Sequence, residues 1–324
     1  LDFNKGYHQL ELSPESRYIT TFSTHVGLRR YKRLSFGVCP AAEIFQEAIK
    51  GVINIQNALN YSDDILIFGK TQSANSALQA VLESLSTQGL TLNKAKCEFN
   101  KATLEFYGHT FSAAGMQPDP KKVQAIKLAS TPQDANEICS FLGMASYCSR
   151  YIKDFSTISA PLRDLTKQGC IFQWSHQESF HAIKRQLSST TTMANFDPLL
   201  RTELIVDASP VGLGAILVQY KQDNPSPHII SYASRSLTTT EMKYSQSEKE
   251  SLAVVWGCEH FHLFIYGAPF TIITDHQALI TIFGNPRAEM PARIERWGLR
   301  LQGYDYKIVH RPGKNNNPAD YISR

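Results

Sequence analysis

At 324 residues and 36.4 kDa the chain exceeds one ordinary hydrophobic core and suits two or three domains. A content of 42% hydrophobic and 19% charged residues excludes an intrinsically disordered chain, and the lack of an eighteen-residue apolar run excludes a membrane-spanning helix. The net charge of +4 falls in the first part, with 21 Lys+Arg against 17 Asp+Glu in residues 1–202 and 12 against 12 in 203–324.

LDFNKGYHQLEL (1–12) alternates like a strand edge, and ITTFSTHVGLRRYKRLSF (19–36) predicts a hairpin turning at Val26-Gly27. The sequence thus opens in strand-like material without an initiator methionine, which is expected of a fragment of a longer polypeptide. AAEIFQEAIKGVI (41–53) has helical spacing, with Ile44, Phe45, Ala48, Ile49 and Val52 on one face. NYSDDILIFGK (60–70) then sets two adjacent carboxylates, Asp63 and Asp64, in a segment that otherwise wants burial. A buried carboxylate costs several kcal/mol unless paired, hydrogen-bonded or bound to a metal. A solvated Ser-Asp-Asp turn at a hairpin tip is the alternative reading of the doublet.

A second helix, SANSALQAVLESLSTQG (73–89), stops at Gly89. LTLNKAKCEF (90–99) and LEFYGHTFS (104–112) read as two short strands, and PDPKKVQAIKLASTPQ (118–133) as a connector with one helix. Residues 133–195 are largely helical. From Thr202 the pattern becomes β-β-β-α-β-α-β: TELIVDASPVGLGAILVQY, HIISYASRS, the helix SEKESLAVVWGCEHFHLFIYG, PFTIITDHQAL and YDYKIVHRPG. The six cysteines are scattered without zinc spacing and read as reduced thiols. His260 and His262 lack an HExxH pattern and read as surface or packing residues. LRRYKR (28–33) and Arg293, Arg296 and Arg300 form basic clusters able to neutralise phosphates, or else solvated faces.

In this last region Asp207 closes LIVD, Asp275 closes TIITD, Glu250 lies on the long helix and Asp320 follows the last strand. Singly, each such acid suits a cap or turn. Together, at strand and helix ends of one mixed sheet, they cannot all ionise at close quarters without a compensating cation. Two Mg²⁺ ions about 4 Å apart are the common solution for phosphodiester chemistry.

These residues carry a resemblance along the whole chain. LDFNKGYHQLEL, LSFGVCPAAEIFQ (34–46), YSDDILIFG, LTLNKAKCEF, FYGHTFSAAGMQPDPKKV, SFLGMASYCSRYI, FQWSHQESFHAIKRQL and then VDAS, EKESLA, TDH and HRPGKNNNPAD resemble, in order, the motifs of the reverse transcriptase–RNase H region of gypsy-type (Metaviridae) LTR retrotransposon Pol polyproteins. The resemblance implies an α+β / α/β multidomain fold: a right-hand polymerase with palm, partial fingers and thumb, a connection, and an RNase H-like mixed β-sheet domain. It implies an N-terminally truncated palm and fingers in 1–117, thumb and connection in 118–201, and a C-terminally truncated RNase H-like domain in 202–324.

The implied activities are RNA-directed DNA polymerase and ribonuclease H, both by two-metal phosphoryl transfer. Mg²⁺ is the expected cofactor, two ions per active site, with Mn²⁺ as a substitute. Asp2, Asp63 and Asp64 would hold the metals of the first site, with Asp63 the firmer ligand of the doublet. Asp207, Glu250, Asp275 and Asp320 would hold those of the second, Glu248 standing two residues away as the rival of Glu250. Tyr7 matches the aromatic gate against a ribose 2′-hydroxyl, with core packing as its plain alternative. Phe36 and Gly37 would shape the nucleotide pocket, and Lys96 is a candidate proton donor to pyrophosphate or a solvated lysine. His310 matches a mobile histidine that assists product release or proton transfer, or is a loop residue without a role.

Ser62 fills a slot that is usually apolar, and Ser35 stands where the family usually has proline. Expected partners are an RNA template, a DNA primer, RNA–DNA hybrid and dNTPs, no membrane, and protease and integrase domains in the parent polyprotein, with a dimer as one admissible assembly. The expected location is intracellular, in the cytoplasm within retrotransposon particles. Two other readings stand beside this one: a remnant that keeps only hybrid nuclease activity, and a non-catalytic nucleic-acid-binding fragment.

Overall fold

The computed structural model describes residues 1–312 apart from 171, 175, 190–191, 222–223 and 285–290. It forms two compact units, Leu1–Lys101 and Ala102–Arg324. No helix among the described residues is long and apolar enough to cross a membrane.

In the first unit, Gly6–Gln9 and Arg17–Thr20 are 3-10 turns, followed by the hairpin β1 (Phe22–Thr24) and β2 (Gly27–Arg29). Helix α1 (Ala41–Val52) leads to a second hairpin, β3 (Ala58–Tyr61) and β4 (Asp64–Ile67), and then to α2 (Thr71–Thr87). Ala41, Phe45 and Ile49 recur every fourth residue on α1 and are buried with Phe3, Leu34, Ile65, Val81 and Leu85. Ile44, expected on that face, is exposed instead. Two predicted strands are shorter than their patterns suggest. Leu1–Leu12 pairs only at isolated bridges before turning at Gly6, and Leu92 makes a single bridge to Phe3 ahead of a turn.

The second unit begins with a meander, β5 (Thr103–Phe106), β6 (His109–Ser112) and β7 (Gly115–Pro118). The single strand expected over 104–112 is therefore a hairpin, turning at Tyr107-Gly108, where both residues have positive φ. Helices α3 (Pro120–Leu128), α4 (Ala135–Tyr147), α5 (Phe155–Asp164) and α6 (Gln177–Ser188) follow. Then come β8 (Arg201–Ala208), β9 (Gly212–Lys221), β10 (Asn224–Ser236), α7 (Gln246–His260), α8 (His262–Ile265), β11 (Phe270–Thr274), α9 (Ala278–Gly284), α10 (Ala292–Leu301) and β12 (Tyr306–His310).

The last five strands form one sheet in the order β10-β9-β8-β11-β12, antiparallel from β10 to β8 and parallel from β8 to β12. Both its faces are covered. Leu204, Val206 and Ala208 point into a core with α7, α9 and α10, while Ile205, Ile216, Val218, Tyr232 and Ile273 meet α4, α5 and α6 on the other side. Burial on two faces explains the unbroken apolar run in β8, and each fully buried aliphatic side chain there contributes roughly 2 kcal/mol. Residues 118–201 thus share their core with the sheet that follows them.

Gly115 opens β7 with φ +136°, and a Cβ there would strike the Met193 carbonyl oxygen, whose bridge to Met116 extends the meander. Gly115→Ala is expected to destabilise the second unit by about 2–4 kcal/mol. Urea unfolding monitored by fluorescence measures this, and an unchanged midpoint would show that the bridge yields without cost.

Candidate functional site

In the second unit, the parallel pairing of β8 with β11 brings the ends of both strands to the same edge of the sheet. Asp207 is the penultimate residue of β8 and Asp275 follows the last residue of β11. Helix α7 packs across β8, and its second turn carries Glu250 to the same place. One carboxylate oxygen from each of Asp207, Glu250 and Asp275 lies within 4.8 Å of the others, and this is the single such group among the described residues. Asp320 lies outside the described residues.

The electrostatics are incomplete. Glu250 is only 3% exposed, and its Oε2 is buried with no hydrogen-bond partner. Its Oε1 accepts a 2.7 Å bond from Gln246 Nε2. Burial first, and the neighbouring Asp207 second, push the Glu250 carboxyl up to about 8. Burial and then Asp275 raise Asp207 as well. A divalent cation satisfies such a set, because carboxylate oxygens are its preferred ligands and its charge removes the mutual repulsion.

Glu248 is occupied elsewhere. It closes a capping box with Ser245 at the start of α7 and accepts a 2.6 Å bond from Arg293 Nη1. Its carboxyl is accordingly held low, chiefly by the Ser245 backbone N–H. His310 ends β12 beside Thr274, and its Nε2 is 3.1 Å from the Asp275 carbonyl oxygen. Since a carbonyl only accepts, Nε2 carries the proton and Nδ1 is left as the acceptor.

Sequence reasoning missed three supports of this site. Gln246 lies one helical turn before Glu250, a spacing that signals contact on a helix. Ser247 Oγ is 2.9 Å from His276 Nε2, next in sequence to Asp275. Glu203, with 0% exposure, accepts bonds from Tyr220 Oη, Arg201 Nη2 and Arg311 Nη2 at 2.9, 2.5 and 3.0 Å. No local pattern connects Glu203 with Arg311. Of the arginines on α10, Arg293 pairs with Glu248 and Arg300 with Glu259, so two of the three are committed within the fold.

In the first unit, Asp2 bridges Asp64 in antiparallel register, and Phe3 N donates to the Asp63 carbonyl at 3.1 Å. On its other side Asp2 O accepts from Asn93 N at 2.9 Å. Backbone pairing therefore inserts residues 1–3 between β4 and residues 91–93. Burial raises the Asp64 carboxyl, with Asp63 and then Asp2 adding repulsion. Asp63 itself is exposed in the turn. Lys96 Nζ stands 3.5 Å from Asp2 Oδ2, while the Lys96 side chain is largely exposed.

The hairpin tip has its own clamp. Ser62 takes a positive φ of 53°, and its N–H donates to Gln46 Oε1 at 2.6 Å. Gln46 Nε2 returns a 3.2 Å bond to Asn60 O, so α1 fixes the turn that carries the doublet. The Tyr7 ring packs edge-on against Phe36 and Phe45 at 4.9 and 5.1 Å, with its hydroxyl 3.4 Å from Ser62 Oγ. Phe36 is 67% exposed, and Gly37 has φ +87° with open space where a side chain would be.

Two family models match the chain: "Reverse transcriptase (RNA-dependent DNA polymerase)" over residues 1–111 and "RNase H-like domain found in reverse transcriptase" over 197–304. The chain is 35% identical to the retrovirus-related Pol polyprotein from transposon 297 of Drosophila melanogaster, matching along its entire length and 30% of that polyprotein. It is 32% identical to the corresponding polyprotein from transposon gypsy of the same organism, again along its entire length and over 32% of the relative. The chain therefore spans about a third of the length of these relatives. Among solved structures, a foamy viral protease-reverse transcriptase in complex with dsDNA superposes with a TM-score of 0.80 at 21% identity, over 97% of this chain and 67% of the other. The same viral protein with an RNA/DNA hybrid gives 0.79 at 20% identity, over 96% and 43%. At these identities the likeness is one of fold.

The Glu250 carboxyl, held near 8 against an ordinary 4.5, binds an extra proton in the folded metal-free chain between those values. Folded stability therefore falls as pH rises from about 4.5 to about 8 and levels off above. Glu250→Gln is expected to flatten much of that decline and to stabilise the metal-free protein at pH 8 by on the order of 1–3 kcal/mol. Urea titrations in EDTA at several pH values test this; a parallel decline in the variant would assign the slope to other groups.

Proposed function

The chain belongs to the reverse transcriptase–RNase H segment of transposon Pol polyproteins, and from that footing we propose that it performs two reactions. One is RNA-templated DNA synthesis and the other is hydrolysis of the RNA strand of an RNA–DNA hybrid. The observation that carries the reading is the Asp207–Glu250–Asp275 group with its buried, unpartnered Glu250 oxygen. Residues 1–117 act as palm and partial fingers, 118–201 as thumb and connection, and 202–324 as the RNase H-like domain. Template RNA, DNA primer, dNTPs and hybrid are the substrates.

Reverse transcriptase and RNase H domains depend on divalent metals. Asp207, Glu250 and Asp275 would hold Mg²⁺ in the second unit, with Asp320 as a further ligand, and Asp2, Asp63 and Asp64 would hold it in the first. Bound there, the cations lower the pKa of the attacking group and stabilise the leaving oxygen.

The chain's own residues do the rest. His310, with Nε2 committed to the Asp275 carbonyl, offers Nδ1 to take up or return a proton beside the scissile phosphate. In the polymerase site Gln46 keeps the Asp63–Asp64 turn in one conformation, so that the doublet meets the primer terminus in register. Tyr7, backed by Phe45, presents a ring edge where a 2′-hydroxyl would fall, and Phe36 and Gly37 line the nucleotide pocket. Lys96 neutralises Asp2 in the free protein and protonates the departing pyrophosphate during turnover.

The two reactions are separable by mutation. Asp63→Asn should lower Mg²⁺-dependent primer extension on an RNA template at least 100-fold while hybrid cleavage stays within about twofold. Asp275→Asn should do the reverse. Loss of both activities in either folded variant would contradict two independent sites. Tyr7→Ala should admit ribonucleotides, and unaltered discrimination would leave Tyr7 a packing residue.

A further inference from the structure

The three acids of the second unit sit on three separate elements, yet one helical turn touches Glu250 and the residues that follow Asp207 and Asp275 in sequence. Gln246 Nε2 donates to Glu250 Oε1 at 2.7 Å and to the Ala208 carbonyl, next in sequence to Asp207, at 3.3 Å. Both partners are acceptors, so the orientation of the Gln246 amide is dictated by chemistry. Ser247 Oγ bonds His276 Nε2 at 2.9 Å, and His276 N donates to Thr274 Oγ1 at 3.1 Å, bracketing Asp275 between two held residues. Ser247 is itself tied to the helix through its carbonyl, which accepts from Ser251 Oγ at 2.7 Å.

The turn is also fixed from outside. The Ser245–Glu248 capping box defines where α7 begins, and Arg293 from α10 grips Glu248. Position is thus passed from α10 to the cap, from the cap to residues 246 and 247, and from them to β8, α7 and the loop after β11. Gln246 has a further effect on Glu250: by occupying Oε1 it leaves Oε2 as the buried oxygen without a partner.

We propose that the first turn of α7, through Gln246 and Ser247, is the positioning device that presets Asp207, Glu250 and Asp275 for divalent-cation binding. This rests on the reading of those acids as metal ligands. Neither residue is a ligand or touches the reacting atoms; they act through groups that do. Partners of this kind orient metal ligands, and their loss typically weakens metal affinity by about 10–100-fold.

The test is Mn²⁺ binding by calorimetry to the full chain carrying Asp63→Asn and Asp64→Asn, which silences the first unit. Gln246→Leu keeps the side-chain bulk without the donor and should weaken Mn²⁺ binding about 10-fold, as should Ser247→Ala. Ser247→Thr, which keeps the hydroxyl, should restore affinity to within about twofold of the parent. Thermal unfolding in EDTA should remain cooperative in both variants, because the Ser245–Glu248 cap is intact, with a modestly lower midpoint for Gln246→Leu, which leaves the buried Glu250 Oε1 without its donor. At saturating Mn²⁺ both variants should cleave hybrid with a parental KM.

Parental Mn²⁺ affinity in both Gln246→Leu and Ser247→Ala, with Asp275→Asn abolishing binding, would overturn the proposal alone. A raised KM with unchanged Mn²⁺ affinity would overturn it too, making Gln246 a substrate contact. A parent chain that binds no Mn²⁺ would overturn both the proposal and the metal-site reading beneath it.

Discussion

Repulsion among carboxylates that the fold forces together is the constraint from which the second unit is organised. Three acids within 4.8 Å, one of them buried with a bare oxygen, oppose folding when no cation is present. Something must therefore outweigh them. The sheet that carries them is covered on both faces, and its central strand β8 buries Leu204, Ile205 and Val206 on alternating sides. Apolar burial on that scale exceeds the few kcal/mol that a crowded acid group takes away. Glu203, on the same strand, is the instructive contrast. It is as deeply buried as Glu250, but three donors satisfy it, so it belongs to the framework and not to the chemistry.

Strand direction determines where the acids meet. A parallel β8–β11 pair places two strand ends at one edge, and the crossover helix α7 must return over the same face. That geometry makes the Asp207–Glu250–Asp275 grouping legible in sequence: an acid closing each of two apolar strands and one on the helix between them. The distinction between Glu248 and Glu250 was not legible from composition. It follows from helix phase, because Glu248 falls at the third position after the Ser245 cap, while Glu250 turns inward.

The local failures have physical causes. Residues 1–12 alternate in hydrophobicity, but Lys5 adopts a left-handed conformation and the chain bends into a 3-10 turn at Gly6, so only isolated bridges form, at residues 2 and 3 before the turn and at Glu11 after it. Residues 104–112 form one apolar-rich run, yet Tyr107-Gly108 supplies two consecutive positive φ values and folds it back on itself. Ile44 satisfies the helical period of α1 and still faces solvent, since its neighbour Phe45 fills the core position. Contacts such as Glu203–Arg311, separated by 108 residues, have no local signature at all.

The two acid groups differ in how they are held. In the second unit side chains hold the acids: Gln246 grips a carboxylate oxygen directly, Ser247 holds the ring of His276 next to Asp275, and His310 holds the Asp275 carbonyl. In the first unit it is mainly backbone that is held. Bridges fix Asp2 against Asp64 and Gln46 fixes the turn, whereas the Asp2 carboxylate faces an exposed lysine at 3.5 Å. An exposed ion pair is worth about 1 kcal/mol or less, so Lys96 restrains the Asp2 carboxylate weakly. The second group therefore has one oxygen of each of its three carboxylates already gathered within 4.8 Å. The first has its peptide frame in place, while its carboxylates keep more freedom of direction.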